Sequence, residues 1–293
     1  MKTVMRGLIY ATVAGVVAGV IASPFGASAE DPAPPTLTVP PAAAFLVGGQ
    51  IGPSDIEGNP EAVFDRTPFT WSIPMRLTWS STGSTYYDIA PTHSWGCTDP
   101  YMYTSLDGDT ENLRYTVMMS DFDSAGWPCA AYSSETDGYS VIATHGDGSV
   151  IGKRAVKNPP NLYQEDGRTP LESFAAPLTT SYSGAWSVGF CDCASGGTQR
   201  ASSQPGAAAT VSRTFARGEH LALVMAEGPG RGKAAIYLDG VLTKTIDTYA
   251  ATNINRIIQW DTKLSAGSHT IRVVNQATAG RPRIDLDAIL TTS

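Results

Sequence analysis

Short apolar runs broken by glycine, asparagine, aspartate and proline fill the second half of the chain, and none repeats with a helical period. Regular punctuation of this kind is typical of all-β sandwiches. Asp239-Gly240 separates two of the runs and is a strong hairpin signal, because Gly240 takes the positive φ that a tight turn needs. The sequence predicts strands at 207–216, 220–227, 233–239, 241–247, 256–262, 269–276 and 283–290.

The first 29 residues carry the pattern of an export signal. Lys2 and Arg6 precede the apolar run GLIYATVAGVVAGVIA, and the small residues ASA stand before Glu30. The apolar run is short for a membrane anchor, and proline and glycine follow it at once. The sequence therefore predicts cleavage after Ala29 and a secreted, extracellular protein with no membrane span after cleavage.

Cleavage leaves an acidic chain. Loss of Lys2 and Arg6 leaves 18 basic residues against 27 acidic ones, a net charge of −9. Phosphate contacts require a basic surface, so this balance argues against nucleic acid as a partner. Roughly 260 residues remain, which is long enough for two sandwich domains.

The predicted architecture is two β-sandwich domains after a signal peptide (1–29) and a flexible leader (30–60) rich in proline, alanine and glycine. The first domain spans 61–177 and has predicted strands at 74–80 and 113–122. Its C-terminal part is irregular, apart from a candidate hairpin at 139–153. The second domain, 178–293, holds the strands predicted above.

All four cysteines follow the signal, and an even count in an exported chain predicts disulfides. Three pairings are possible, and the spacing favours Cys97–Cys129 with Cys191–Cys193. The first would close a loop of about 33 residues, worth roughly 3–4 kcal/mol. The second closes a very small ring and is expected to be reduced more easily. Because the spacings do not suit zinc, we predict no metal and no cofactor.

Motifs for catalysis are missing from the sequence. It has no G-x-S-x-G and no H-E-x-x-H, and its four histidines are isolated. The stretch 228–233 (GPGRGK) begins like a phosphate-binding loop, but Ala234 follows the lysine and a strand, not a helix, comes next. We therefore predict a protein that is not an enzyme. A hydrolase with two facing carboxylates stays open as a weaker alternative, because the chain has 27 acidic residues.

Several ordered motifs of the second domain resemble the galactose-binding-like, or carbohydrate-binding-module-like, jelly rolls of bacterial secreted proteins. They are YSGAW (182–186), GPGRGKAAIYLDG (228–240), IDTYAAT (246–252), AGSHTIRVV (266–274) and GRPRIDLDAI (280–289). PMRLTWSSTG (74–83) and YTVMMSDFDSAGW (115–127) more weakly resemble a fibronectin-type-III-like or immunoglobulin-like domain, with Trp127 where asparagine is usual. The resemblance implies a binding or spacer role rather than catalysis.

Asp285 and Asp287 are placed like the aspartate that some carbohydrate-binding sandwiches use for a structural calcium. Those modules also need a glutamate pair near the first strand, and TTSYSGAW (179–186) has none. Alternation along 283–290 instead predicts that both aspartates face solvent, with Ile284, Leu286, Ala288 and Leu290 facing the core. A second acidic stretch, DGDTEN (107–112), lacks the glycine and the late glutamate of a calcium loop.

Alternating strand directions predict that loops 228–232, 248–255 and 277–282 gather at one end of the second domain. Arginine binds carboxylates through paired hydrogen bonds and aromatic faces stack on sugars, so these loops suit a hydroxyl-rich or carboxylated glycan. The predicted partner is a polysaccharide or cell-surface polymer. The alternative is a structural or protein-interaction module in which Arg231 braces the turn and Tyr249 belongs to the core. The candidate ligand-binding residues are Arg231, Tyr249, Asn253, Asn255 and Arg281.

Overall fold

The computed structural model describes residues 36–39, 43–53, 70–82, 84, 86–91, 98–99, 104–107, 112–120, 138–145, 147, 149–157, 160–167, 178–191, 193–195, 197–216 and 218–292. Every helix or strand assigned within these residues is a strand, which confirms the all-β fold class. The earlier strands are β1 (Leu37–Thr38), β2 (Ala44–Phe45), β3 (Gly52–Pro53), β4 (Thr70–Thr78), β5 (Ser80–Ser81), β6 (Tyr86–Pro91), β7 (Thr98–Asp99), β8 (Thr104–Asp107), β9 (Asn112–Ser120), β10 (Gly138–Thr144) and β11 (Val150–Lys157). The later strands are β12 (Pro160–Gln164), β13 (Thr179–Ser183), β14 (Ser187–Phe190), β15 (Thr198–Ser202), β16 (Ala208–Phe215), β17 (Glu219–Glu227), β18 (Lys233–Leu238), β19 (Val241–Asp247), β20 (Ile254–Leu264), β21 (Gly267–Asn275) and β22 (Ile284–Thr292).

Two antiparallel sheets form a sandwich in the C-terminal half. The inner sheet has the strand order β14-β15-β22-β17-β20, with β12 also paired to β22, and the outer sheet has the order β13-β16-β21-β18-β19. From β16 onward the chain changes sheet at every connection except the β18–β19 hairpin, as in a jelly roll. That hairpin turns at Asp239-Gly240 with φ of 50° and 82°, as the dipeptide predicted.

The space between the two sheets is filled by apolar side chains. The inner sheet contributes Leu221, Leu223, Met225, Trp260, Ile284, Leu286 and Ile289, and the outer sheet contributes Ala209, Val211, Phe215, Ile236, Ile271 and Val273. Burying one large side chain of this kind contributes about 1.5–3 kcal/mol. The alternating patterns of β16 and β21 arise here, because each presents one face to this core.

The opposite face of the inner sheet is buried as well. Ala222, Val224, Ile258, Ala288 and Leu290 pack against apolar residues of the N-terminal half, which are Leu37, Ala43, Phe45, Ile51, Ile73, Met75, Leu77, Trp79, Tyr87, Val141 and Ala143. The backbone of 48–51 also lies along the edge strand β20, where the amide of Gly48 donates to the carbonyl of Ile258 over 2.8 Å. Residues 36–39 and 43–53, from the stretch for which the sequence predicts a flexible leader, thus help to cover the inner sheet.

Because both faces of the inner sheet are buried, the side chains of β22 do not lie where the sequence predicted. All nine of its residues are buried, including Asp285 and Asp287, so the prediction that these aspartates face solvent is wrong. Alternation signals a solvated face only where one side of a sheet is open, and β22 lies inside a sheet that is covered on both sides. The register against β17 also shifts at Asp287, so this residue sits at a bulge.

Asp287 is held by the loop that connects β14 to β15. The amide of Ser195 donates to its Oδ1 over 2.7 Å, and the Ser195 hydroxyl donates to its Oδ2 over 3.1 Å. Burial outweighs these hydrogen bonds and raises the pKa of Asp287 to about 7. Asp287 is therefore a buried carboxyl group whose protonated form is favoured in the folded chain up to neutral pH.

The N-terminal half contains further antiparallel pairs. β4 pairs with β9, which matches the predicted strands at 74–80 and 113–122. β10 and β11 form the hairpin that the sequence suggested at 139–153. Residues 160–164 lie in the stretch expected to be irregular, and they instead form β12 and extend the inner sheet along β22. The predicted domain boundaries and the fibronectin-like resemblance stay predictions.

Three sequence predictions fall outside the described residues. They are the signal peptide at 1–29, the Cys97–Cys129 pair and the inner part, 108–111, of the acidic stretch at 107–112. Among the described residues, no helix has the length and apolar character needed to cross a membrane.

Candidate functional site

Loops 228–232, 248–255 and 277–282 lie together at one end of the sandwich, as the strand directions predicted; we call them the rim. The amide of Gly228 donates to the carbonyl of Thr248 over 3.0 Å, and the Thr248 hydroxyl donates to the carbonyl of Gly232 over 2.7 Å. The amide of Lys233 donates to the Thr278 hydroxyl over 2.8 Å. These contacts join all three loops into one surface.

Gly232 makes this close approach possible. A Cβ at this position would lie only 2.1 Å from the carbonyl oxygen of Arg281, a backbone atom of the third loop. The residues on either side belong to strands β17 and β18, so 228–232 is a turn between strands. Gly232 therefore serves loop packing, and a strand, not a helix, follows the turn, as the sequence predicted.

Arg231 is a buried brace. Its side chain donates from Nε to Oδ2 of Asp285 over 2.6 Å and from Nη1 to Oδ1 of Asn253 over the same distance. Arg231 is 8% exposed and Asp285 is fully buried, so the pair neutralises a carboxylate that the fold has removed from water. The structure therefore places Arg231 beneath the rim, where its charge stabilises Asp285, as the sequence-based alternative proposed.

Arg281 lies on the rim and is held by Asp247. Its two terminal nitrogens donate to the two carboxylate oxygens of Asp247 over 2.8 and 3.1 Å. These bonds lower the pKa of Asp247 and raise the pKa of Arg281. The guanidinium also lies 4.7 Å from the centre of the Tyr249 ring. Arg281 thus orients an aromatic side chain at the surface.

Tyr249 is 53% exposed, so the alternative that it belongs to the core is wrong. Its amide donates to Oδ1 of Asp247 over 3.1 Å, which ties the ring's backbone to the carboxylate that holds Arg281. A guanidinium stacked on one part of the ring limits its rotation and leaves the remaining surface open. Tyr249 is the rim residue best placed to stack on a ligand.

The other predicted rim residues are divided between two roles. Asn253 is exposed on the rim and bonds Arg231, so it joins the group around Tyr249 and Arg281 through the loop contacts. Asn255 is half-buried at the end of the same loop, and its backbone carbonyl accepts a hydrogen bond of 3.0 Å from Nε2 of Gln50 in the N-terminal half. Arg231, Asn253 and the pair of Tyr249 and Arg281 thus lie in the joined loops, and Asn255 has a backbone contact with the N-terminal half.

Two carboxylates hold the predicted arginines. Asp247 directly precedes the second rim loop and pairs with Arg281, and Asp285 lies buried beneath the rim and pairs with Arg231. No local pattern pointed to either pair, because alternation predicted that Asp285 faces solvent. Lys233 and Arg283 are exposed, although Arg283 also donates from Nε to Oδ1 of Asp285 over 2.8 Å.

The described residues contain no group of three or more histidine, cysteine, aspartate or glutamate side chains that could hold a metal ion. Burial raises the pKa of Glu165 as it does that of Asp287. Both carboxyl groups are no more than 2% exposed, so neither is placed to meet a polysaccharide.

No family model matches the chain. An A type blood alpha-D-galactosamine galactosaminidase of Flavonifractor plautii is 28% identical over 136 residues, or 45% of this chain. The chain spans only 12% of the length of that curated relative.

Two solved structures are similar in part. A family 35 carbohydrate binding module from Clostridium thermocellum is 18% identical, with a TM-score of 0.33, over 45% of this chain and 98% of the module. The CBM36-1 domain of a multidomain xylanase from the hindgut metagenome of Trinervitermes trinervoides is 13% identical, with a TM-score of 0.32, over 46% of this chain and 98% of that domain. Values this low establish no shared ligand and no shared set of binding residues.

Proposed function

We propose that the chain is a secreted, non-catalytic protein that binds an extracellular glycan or cell-surface polymer through the rim. The observation that carries the proposal is the orientation of Tyr249. The residue is 53% exposed, the guanidinium of Arg281 lies 4.7 Å from the centre of its ring, and Asp247 holds both that guanidinium and the Tyr249 amide. A rigid aromatic surface with polar groups around it is the usual design of a sugar-binding surface, because little conformational freedom is lost on binding.

The pairing of the arginines points to the charge of the ligand. Arg231 and Arg281 already bind the carboxylates of Asp285 and Asp247. Their paired N–H donors are therefore not available to bind the carboxylate of an acidic sugar. This favours stacking on Tyr249 together with hydrogen bonds to hydroxyl groups. We therefore propose a neutral, hydroxyl-rich glycan, whereas the arginines in the sequence favoured a carboxylated glycan that is released as ionic strength rises.

The similarity to the galactosaminidase supports a connection with glycans. The matched stretch is 12% of a protein whose name refers to a sugar of a blood-group antigen. The matched stretch is thus a small part of that larger galactosaminidase. We propose that the corresponding part of this chain contacts glycans too. The proposal concerns binding, and it transfers neither the substrate nor the activity of that enzyme.

The experiment uses the chain without residues 1–29, a glycan array and pull-down on insoluble polysaccharides. Tyr249→Ala is the test variant, and Tyr237→Ala, on the outer sheet away from the rim, is the matched control. We expect Tyr249→Ala to weaken binding at least tenfold, because losing a central aromatic anchor typically costs 2 kcal/mol or more, and about 1.4 kcal/mol is tenfold.

A neutral ligand also predicts that retention changes little as ionic strength rises, because stacking is not screened by salt. Loss of binding in Tyr237→Ala with full binding in Tyr249→Ala would move the site to the outer sheet. No retention on any glycan by the folded wild-type chain would refute the proposed function and favour the spacer or protein-interaction alternative.

A further inference from the structure

Cys191 and Cys193 are joined by a disulfide across a single intervening residue, with their Cα atoms 4.9 Å apart. The stabilisation that a disulfide gives grows with the length of chain it closes, and three residues are close to the minimum. The crosslink also connects no two strands, since both cysteines follow β14 in the same loop. A contribution to the stability of the fold therefore explains little of why this disulfide is present.

Backbone hydrogen bonds organise the same loop independently of the sulfurs. The amide of Ala194 donates to the carbonyl of Cys191 over 3.0 Å, and the amide of Cys191 donates to the carbonyl of Gly197 over 3.0 Å. Below them Ser195 is fully buried and bound to Asp287. The loop is thus anchored on its inner side whether the sulfurs are joined or separate.

The disulfide lies at an accessible edge of the sandwich. Both cysteines are partly exposed, and Phe190, which precedes them, is 87% exposed. β14 is the last strand on its side of the inner sheet, and within the described chain it pairs only with β15. An edge strand offers backbone hydrogen bonds to an added strand, and an exposed aromatic side chain gives that strand an apolar contact.

We propose that Cys191 and Cys193 form a thiol–disulfide exchange site for cysteine-bearing polypeptide segments that add in extended form beside β14. Small-ring, accessible disulfides belong to the labile class that exchanges with external thiols. The edge of β14 places such a segment alongside the sulfurs, and Phe190 provides the apolar contact. This site is remote in the chain from the rim and does not depend on the proposed glycan binding.

The exchange balances in two steps. A substrate thiolate attacks one sulfur of the pair, the Cys191–Cys193 bond breaks, and the released sulfur takes up a proton. A second substrate thiolate then attacks the mixed disulfide and expels the remaining protein sulfur, which also takes up a proton. The substrate loses two electrons and two protons as its disulfide forms, and the loop gains both as a dithiol. A small-molecule disulfide reverses the change in the loop and is itself reduced to two thiols.

The first test equilibrates the chain in mixtures of reduced and oxidised glutathione, blocks free thiols by alkylation and maps the peptides by mass spectrometry. We expect Cys191 and Cys193 to pass from disulfide to dithiol within the glutathione range while circular dichroism stays unchanged. A disulfide that stays intact in excess reduced glutathione overturns the proposal, and so does loss of the fold on reduction.

The second test measures the oxidative reactivation of a reduced, unfolded ribonuclease, with oxidised glutathione present to reoxidise the loop. The wild-type chain should speed reactivation, and the Cys191→Ser/Cys193→Ser variant should not. Phe190→Ala should slow the reaction with the ribonuclease but leave the oxidation of dithiothreitol unchanged. Val241→Ala, which removes an exposed apolar side chain at the far hairpin, is the control. Equal rates for the wild type and the double serine variant contradict the exchange site, and equal rates for Phe190→Ala contradict the docking of polypeptide beside β14.

Discussion

Replacing Asp287 with asparagine should make the protein more stable at alkaline pH. The pKa of Asp287 is raised from 3.8 to about 7 because the carboxyl group is buried, so ionising it in the folded chain is unfavourable. Between about pH 4 and pH 7 the folded chain keeps a proton that the unfolded chain has lost. The free energy of unfolding therefore falls as pH rises through this window.

The size of the effect follows from the shift. A pKa raised by about three units corresponds to about 4 kcal/mol of lost stability once the pH exceeds 7. Asparagine resembles the protonated acid, and its oxygen can still accept from the amide of Ser195. We expect Asp287→Asn to match the wild type within about 1 kcal/mol at pH 4, and to exceed it by several kcal/mol at pH 8.

Asp285→Asn is the matched control on the same strand. Asp285 is equally buried but pairs with Arg231 and Arg283, so its loss leaves a buried guanidinium without its carboxylate. Breaking such a pair from one side costs about 3–5 kcal/mol. Urea unfolding followed by tryptophan fluorescence at pH 4, 6 and 8 distinguishes the two. A loss of stability in Asp287→Asn at pH 8 would show that Asp287 is ionised and well paired, and would refute the reasoning.

Two further predictions concern the rim. Arg231→Ala should lower the free energy of unfolding by about 3–5 kcal/mol, because fully buried Asp285 loses its partner. Arg281→Ala should lower it by less than about 1 kcal/mol, because its pair with Asp247 is more exposed, and equal losses in urea unfolding would contradict the assignment of Arg231 as a brace and Arg281 as a surface residue. Gly232→Ala should destabilise the chain by about 1–3 kcal/mol, because the added Cβ would collide with the carbonyl of Arg281. The control Gly230→Ala places its Cβ in open space and should leave stability nearly unchanged. Equal melting temperatures for the two variants would show that the third loop can move away from the added Cβ.

The sequence alone predicted the position of the rim loops but not the partners of the rim arginines. Strand directions and the Asp239-Gly240 turn were enough to gather the three loops at one end, because these depend on local patterns. The partners of the arginines were not predictable in the same way. Asp247 and Arg281 are 34 residues apart, and Arg231 and Asp285 are 54 apart, so their pairing depends on how the strands are ordered in the sheets.

β22 shows the corresponding limit for the fold. Its alternating aspartates predict one solvated face, and only the second layer makes that prediction fail. That layer includes Phe45 and Ile51, which pack on the inner sheet from more than 200 residues earlier in the chain. Their short segment has little periodicity and is rich in proline and glycine, so its sequence suggested a leader. A contact between such distant segments leaves no local pattern in either of them.

Hydrogen–deuterium exchange in the presence of a retained polysaccharide tests glycan binding at the rim most directly. We predict that the ligand slows exchange in loops 228–232, 248–255 and 277–282, with the largest change around Tyr249, and leaves β14 and the outer face of the outer sheet unaffected. Protection confined to any surface other than these three loops would contradict the account.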